Sequence, residues 1–403
     1  MNGLLDPVLR APLWGACCLS VSLSLLGVFL FLQKKTLVGE ALSHASYPGV
    51  LLAIFFSSIL PLSTTVYIFA AFTAYLGFWL LQQLKDKLKI KEDAALCLIL
   101  STFFGMGTLL ASIVQSDSPK LFRQIPLFLY GQAVTIQDSQ LIVYAAFTLL
   151  TLLFVGLFYR PLLVMSFDKV SVIYKGNFLK WLEAGFFIWV TWAIVLAMRS
   201  LGVILLSALL VAPATAARQY THNVKKMLWI AAAVGLASGF IGTLISLKGL
   251  PTGPCIVLVA CLITAFSLLF APKRGLVARL MRILAFKMKI QEENMLKSLW
   301  LNRSVKASWL SWTRLLAKGL ISSERKLTQK GLMEGARITR LHRLWEVYLF
   351  RSLGMNIDKV HECAEQMEHI LTPEIEKQLT SLLDNPDEDP HAKPIPKPMD
   401  VRA

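Results

Sequence analysis

Leu37–Gly49 reads LVGEALSHASYPG and sets an acid, Glu40, a histidine, His44, and a Pro-Gly pair, Pro48 and Gly49, inside one of the most apolar regions of the chain. Ionisable side chains at membrane depth are costly and normally face a bundle interior or a pathway. Pro and Gly interrupt a spanning helix, which is tolerated where the freed backbone is buried in protein or lines a cavity. The apolar run that follows, Val50–Leu60, is shorter than the roughly 20 residues a span requires. The motif must therefore supply part of that span, which brings Glu40 and His44 to the membrane. Broken helices of this kind often carry binding sites in membrane carriers. The alternative is a membrane-surface loop whose Glu and His are merely solvated.

Working outward, the chain has 403 residues, of which 55% are hydrophobic and 16% charged. With a mean hydropathy of +0.59, this is a polytopic membrane protein and not a soluble domain. The fold class expected is all-α, a membrane helix bundle followed by a small, mainly helical domain. Nine spans are expected, near 13–32, 38–61, 64–82, 94–115, 140–159, 181–198, 201–217, 228–246 and 254–271. Lys34-Lys35, the lysines at 85, 87, 89 and 91, Arg160, the group Arg218, Lys225 and Lys226, and Lys273-Arg274 then all fall on one side. The positive-inside rule makes that side cytoplasmic, with the N-terminus outside and the C-terminal domain inside a bacterial inner membrane. The start of the chain lacks a basic region and a convincing cleavage site, so the first apolar run reads as a retained span. The six cysteines form no CxxC and no disulfide framework.

After Pro272 the apolar runs shorten and helix-period patterns replace continuous hydrophobicity. The expected divisions are a membrane domain over 1–272, a basic linker over 273–290, a helix-turn-helix-like segment over 291–330, metal-binding helices over 331–383 and an extended Pro-rich tail over 384–403. The linker could be a cut site or an amphipathic helix on the membrane surface. Between Lys273 and Arg340 the acids are only Glu292, Glu293, Glu324 and Glu334, so this basic block could also attract anionic lipid or nucleic acid. Further on, His342 and Glu346 stand four apart in LHRLWE. His361, Glu365, Glu368 and His369 follow in KVHECAEQMEHIL. On a helix the spacing i, i+4, i+7, i+8 puts the last four on one face. Six metal-type ligands from two helices suggest a divalent metal centre; the alternative is a solvated charged face.

Several membrane segments carry a resemblance. LVGEALSHASYPGVLLA, KEDAALCLILSTFFGMG (91–107), FYRPLLVMSFD (158–168), GVILLSALLVAPATAAR (202–218) and GLPTGP (249–254) resemble, in order, the permease subunits of zinc/manganese/iron ABC transporters. That family usually has Asp where this chain has Glu40. The resemblance implies a metal pathway lined by Glu40 and His44, a second permease subunit (homo- or heterodimer), cytoplasmic ABC ATPase subunits and an extracytoplasmic metal-binding protein. No GxxxxGK[ST] occurs, so the chain is not itself the ATPase and is not an enzyme. FDKVSVIYKG, from Phe167 through Asp168 to Gly176, resembles the coupling helix by which such permeases dock on their ATPases; the alternative is an ordinary connecting loop. Ala212-Pro213-Ala214 is expected to break the seventh span.

LTQKG, HRLWEVYL, LGMNIDKVHECAEQMEHIL and DPHAKPIP resemble, over 327–396, the metal-binding and dimerisation domain of metal-dependent repressors of the diphtheria-toxin-repressor type. By that resemblance His342, Glu346 and His361 belong to one metal site and Glu365, Glu368 and His369 to a second. Oxygen-rich ligation would favour Mn(II) or Fe(II) over Zn(II). The DNA-reading module of that family is shortened here, and Lys297 and Asn294 stand near where the family places ligands. Lys306, Arg314 and Lys318 are available for operator DNA phosphates. Trp309 and Trp312 are expected in the core. Two readings follow: a permease fused to a metal-dependent repressor, or the same permease with a metal sensor that gates transport and never touches DNA. A membrane metalloenzyme has little support, because neither HExxH nor a nucleophile–base pair is found.

Overall fold

The computed structural model describes residues 7–56, 62–117, 125–133, 136–167, 177–304, 309–369 and 372–397. It divides into two compact units, 1–278 and 279–403. Among the described residues the regular elements are all helices, joined by turns and loops that include two isolated antiparallel bridges, Ile321 with Leu327 and Glu388 with Pro394.

In the first unit α1 (Pro7–Leu32) and α2 (Thr36–Phe55) lie at the centre. Around them stand α3 (Leu62–Asp86), α4 (Glu92–Asp117), the short α5 (Ile125–Tyr130), α6 (Asp138–Leu157), α7 (Tyr159–Phe167), α8 (Asn177–Leu201), α9 (Leu206–Tyr220), α10 (Val224–Ser246) and α11 (Thr252–Phe270). Seven of the described helices are long and apolar enough to cross a membrane: α1, α3, α4, α6, α8, α10 and α11. Their outer faces carry Phe72, Leu109, Ile142, Leu149, Trp229 and Leu262 in the open, while Leu23, Phe29, Phe186 and Ile194 are fully buried. Helices apolar on all sides are what a lipid environment selects. This is a multi-pass membrane protein.

The other two expected spans are α2 and α9. At 15 residues α9 is about 22 Å long, short of the roughly 30 Å hydrocarbon layer. The polar residues of α2 hold it out of the apolar class, yet Val38, Ser43, Ser46 and Tyr47 are all buried. The other helices shield both from lipid, so neither has to be apolar all round.

Neither proline breaks its helix. α2 runs unbroken through Pro48 and α9 through Pro213. Each proline removes one ladder bond, to the carbonyl four residues earlier, but surrounding helices hold the segment in register. Gly49 serves packing instead: a Cβ there would sit 2.3 Å from the Phe69 carbonyl oxygen, so α2 and α3 approach backbone to backbone. The actual break lies between α8 and α9. There Gly202 takes φ +86° and a 3₁₀ turn, Val203–Leu205, resets the chain direction.

In the second unit α12 (Leu276–Trp300) runs straight through the boundary expected at 290. α13 (Trp309–Ala317) and a hairpin closed by the Ile321–Leu327 bridge follow. Met295, Leu296, Leu315, Ile321 and Ile338 form their shared core. Trp312 packs against that core, with the Arg325 guanidinium 5.1 Å from its ring centre. Trp309, expected inside, is 77% exposed. α14 (Gln329–Arg351) is capped by Thr328, α15 (Ile357–Met367) by Asn356 and α16 (Pro373–Leu382) by Thr372.

Residues 384–397 are not an extended tail. Ile395 is buried with Leu344, Val347 and Leu383. Arg343 donates to the Pro394 carbonyl, and Arg340 to that of Pro396 at 2.8 Å. The carbonyls of a Pro-rich segment are left to side-chain donors such as these, because its prolines bring no N–H of their own.

Candidate metal centre

α14 presents His342 and Glu346 one turn apart, both almost wholly buried. The Ser352–Met355 turn, with Gly354 at φ +63°, returns the chain so that α15 lays His361 against them. His342 Nε2 is 3.1 Å from Glu346 Oε1 and 3.0 Å from His361 Nδ1, and His361 Nδ1 is 2.7 Å from Glu346 Oε1. Ligand atoms about 2.0–2.2 Å from one ion lie about 3–3.5 Å apart. Two of the three separations are at the short end of that range and the third is a little below it, so a slight parting of the donors seats them on a single metal, and the residues fit the group. Burial would raise the Glu346 carboxyl, but hydrogen bonds and charge from His342 and His361 outweigh it and hold the group at about 2. The carboxylate is thus ionised and ready to ligate.

His342 turns its other nitrogen, Nδ1, toward Glu368 Oε2. Burial would lower the His342 ring, but hydrogen bonds with Glu346 and Glu368 outweigh that and raise it. Glu368 is in turn clamped by the Lys297 ammonium of α12, at 3.0 Å and 2.8 Å from its two oxygens. A carboxylate on the far nitrogen of a metal-binding imidazole fixes its tautomer and orientation. Glu368 stands in that supporting place.

The structure divides the set of four that a continuous helix would align. α15 ends at Met367, so Glu368 and His369 lie in the turn beyond it and are buried, while Glu365 stays on the helix, exposed. Beyond it Thr372 caps a new helix that has Pro373 at its first position. His369 Nδ1 contacts Glu293 of α12 at 2.7 Å. Among the described residues no trio of possible ligands gathers on Glu365, Glu368 and His369.

A second trio was not anticipated: Glu346, Asp389 and His391. His391 Nδ1 is 3.9 Å from Glu346 Oε2, whereas His342 and His361 contact Oε1. Its only signal in the sequence was the Asp-Pro-His triplet of DPHAKPIP, and no periodicity connects that triplet with α14.

Of the basic residues expected to meet phosphate, Lys306 lies outside the described residues. Arg314 Nε is 2.5 Å from Glu292 Oε1, and Lys318 is paired with the other oxygen of the same buried carboxylate. In the membrane unit Glu40 and His44 occupy one face of α2, both half-buried. The His44 ring stands edge-on to Phe104 with centroids 5.2 Å apart. Its Nδ1 is buried without a hydrogen-bond partner. Phe167 is exposed at the end of α7; Asp168 and Gly176 lie outside the described residues. Sequence reasoning also missed a cavity of about 510 Å³ lined by Lys35, Lys85, Glu92 and Glu183. Two ion pairs stand there, Lys35–Glu183 at 2.5 Å and Lys85–Glu92 at 3.2 Å.

Residues 6–271 match the ABC 3 transport family, and residues 328–397 match the metal binding and dimerisation domain of the iron dependent repressors. The chain is 31% identical to a "probable metal transport system membrane protein" of Chlamydia trachomatis, over 97% of each chain. It is 30% identical to the manganese transport system membrane protein MntC of Bacillus subtilis, over 85% of this chain and 84% of that one. Among solved structures, PsaBC from Streptococcus pneumoniae, determined with a Fab, is 27% identical over 70% of this chain and 97% of that one, with a TM-score of 0.60.

Proposed function

This chain belongs to the ABC 3 transport family, and from that premise we propose that it is the membrane permease of an ATP-driven importer of divalent metal ions, manganese, iron or zinc. The match across 6–271 carries the reading, and the names of the relatives support it. Cytoplasmic ABC ATPase subunits supply the energy through the segment that includes Phe167, Asp168 and Gly176. An extracytoplasmic metal-binding protein delivers the ion, and a second permease subunit completes the pathway. Glu40 and His44 line that pathway with a carboxylate and an imidazole, donors suited to Mn(II), Fe(II) or Zn(II). The C-terminal domain faces the cytoplasm of a bacterial cell. Uptake of radioactive manganese and zinc by cells carrying the complete transporter tests this. A Glu40→Ala/His44→Ala variant that transports at the wild-type rate removes the pathway assignment.

The C-terminal domain is a metal sensor, carried by the cluster of His342, Glu346 and His361. In the repressor reading, metal switches on operator binding through Lys306, Arg314 and Lys318. A specific observation favours the second reading, a sensor that gates transport: Glu292 already neutralises Arg314 and Lys318. DNA binding by the full chain, purified in detergent and followed through a metal titration, separates the two. Metal-dependent, salt-sensitive binding to promoter DNA supports the repressor; metal binding without DNA binding supports the gate.

A further inference from the structure

We propose that the first half of α12, Leu276–Lys289, is a lipid-binding helix that lies on the cytoplasmic leaflet of the membrane and gathers anionic phospholipid headgroups. From the proposed function this takes only the side on which the C-terminal domain lies; metal plays no part in it.

The helix starts at the membrane edge. Ala271–Gly275 is all that separates it from α11, the last span. These residues close a turn in which the Gly275 N–H donates to the Ala271 carbonyl at 2.8 Å. A Cβ at Gly275 would lie 2.6 Å from Ala271 N, so the turn needs glycine there. Arg274, within the turn, donates to the Arg218 carbonyl in the last turn of α9 at 3.4 Å and stands beside the His222 ring. The cations that end α9 and those that follow α11 therefore collect at one end of the bundle.

Leu276, Leu280, Ile283 and Leu284 stand at i, i+4, i+7 and i+8 and share one face, with Met281 beside them. None is covered. Leu280, Met281, Ile283 and Leu284 are 55%, 65%, 43% and 49% exposed, and the buried residues of α12, Glu292, Met295 and Leu296, all lie beyond Lys289. Arg279, Arg282 and Lys289 lie on the other side. Phe286 and Lys287 cross this division. A lysine does so at little cost on a lipid surface, since its stem lies among apolar groups while its ammonium reaches the headgroups. The segment is about 21 Å long at roughly 1.5 Å per residue, and α12 is not among the helices apolar enough to cross a membrane. A helix with an apolar stripe, a basic face and low overall hydrophobicity lies in the interface plane.

Charge selects the occupant. No acid occurs between Glu183 and Glu292, whereas Lys273, Arg274, Arg279, Arg282, Lys287 and Lys289 follow the last span. A second copy docked by the same face would bring like charges together with no carboxylate to pair them. An anionic leaflet meets both demands: acyl chains take the stripe and phosphates take the cations. α12 then runs on into the core of the C-terminal unit through Met295 and Leu296, so the lipid contact and the sensor share one element.

The test uses the full chain in lipid nanodiscs of phosphatidylcholine, alone or mixed with phosphatidylglycerol, at low and high salt. Hydrogen exchange is read by mass spectrometry in peptides covering 276–289, with 338–350 as the internal control for folding. In the wild type the 276–289 peptides are expected to be about tenfold or more better protected with phosphatidylglycerol than without it, and high salt is expected to reduce the difference. Arg279→Gln/Lys287→Gln changes two exposed side chains and is expected to lose about fivefold of that protection per charge removed. Leu280→Gln/Leu284→Gln keeps good helix formers and is expected to abolish it, with 338–350 unchanged. Exchange over 276–289 that is the same in both lipids at both salt levels overturns the proposal. Uniform protection would mean that protein covers the helix, and uniform exposure that it stands in solvent. Nanodiscs present the same lipid on both faces and the assay holds no metal, ATPase or DNA. Its failure therefore leaves the permease and sensor readings standing, and a chain that carries no metal would still show the lipid dependence.

Discussion

Lys297→Met is the most demanding perturbation of the C-terminal domain. The Lys297 side chain is 12% exposed and the Glu368 side chain 0%, so this is a buried ion pair and not a surface one. Removing one partner of a buried pair costs about 3–5 kcal/mol, because the other charge stays desolvated. Here Glu368 keeps a hydrogen bond with His342, which places the cost at the lower end, about 3 kcal/mol. At 1.4 kcal/mol per tenfold, that is about a hundredfold loss of protection against hydrogen exchange. The assay is hydrogen exchange read by mass spectrometry on the full chain, in peptides covering 289–300, 338–350 and 357–369. A membrane protein with two units has no single unfolding free energy, so a segment-resolved measurement is the proper one. Combining Lys297→Met with Glu368→Gln neutralises the stranded carboxylate and is expected to restore most of the protection. The single variant is also expected to lose about 10–100-fold in metal affinity, since Glu368 orients His342. Protection within threefold of wild type in Lys297→Met would refute the reasoning, because the pair would then not be carrying the domain.

Glu292→Gln releases Arg314 and Lys318. If the domain binds DNA, the slope of log affinity against log salt should steepen by about 1.8, for two more neutralised phosphates; gel-shift titration at several salt concentrations measures it, and no change would show that the two side chains meet no phosphate. Gly49→Ala forces a Cβ against the Phe69 carbonyl and should cost about 1–3 kcal/mol by overpacking, seen as a lower melting temperature in detergent. An unaltered melt would mean that α2 and α3 can separate freely. Glu183→Gln strands Lys35, whose side chain is 15% exposed, and should cost about 1–3 kcal/mol in the same melt. Lys35→Met/Glu183→Met should recover part of that loss, and a single variant as stable as the wild type would remove the pair from the core of the membrane unit.

The helical class was legible because it depends on local composition. Long apolar runs, the caps at Thr328 and Asn356 and the i, i+4 pair of His342 and Glu346 are all short-range signals. What escaped depends on distance in the chain or on competition between local rules. Pro48 carries a strong breaking signal, but packing by neighbouring helices outweighs one missing bond. The His361–His369 stripe obeys helical spacing only as far as Met367, where α15 ends, and Glu368 and His369 are buried beyond it. Glu292 meets Arg314 and Lys318 across a loop, so three residues that read as free charges become one neutralised cluster. The C-terminal turn reads as solvated by composition. It folds because Arg340, Arg343 and the apolar patch around Leu344 give its carbonyls and Ile395 somewhere to go.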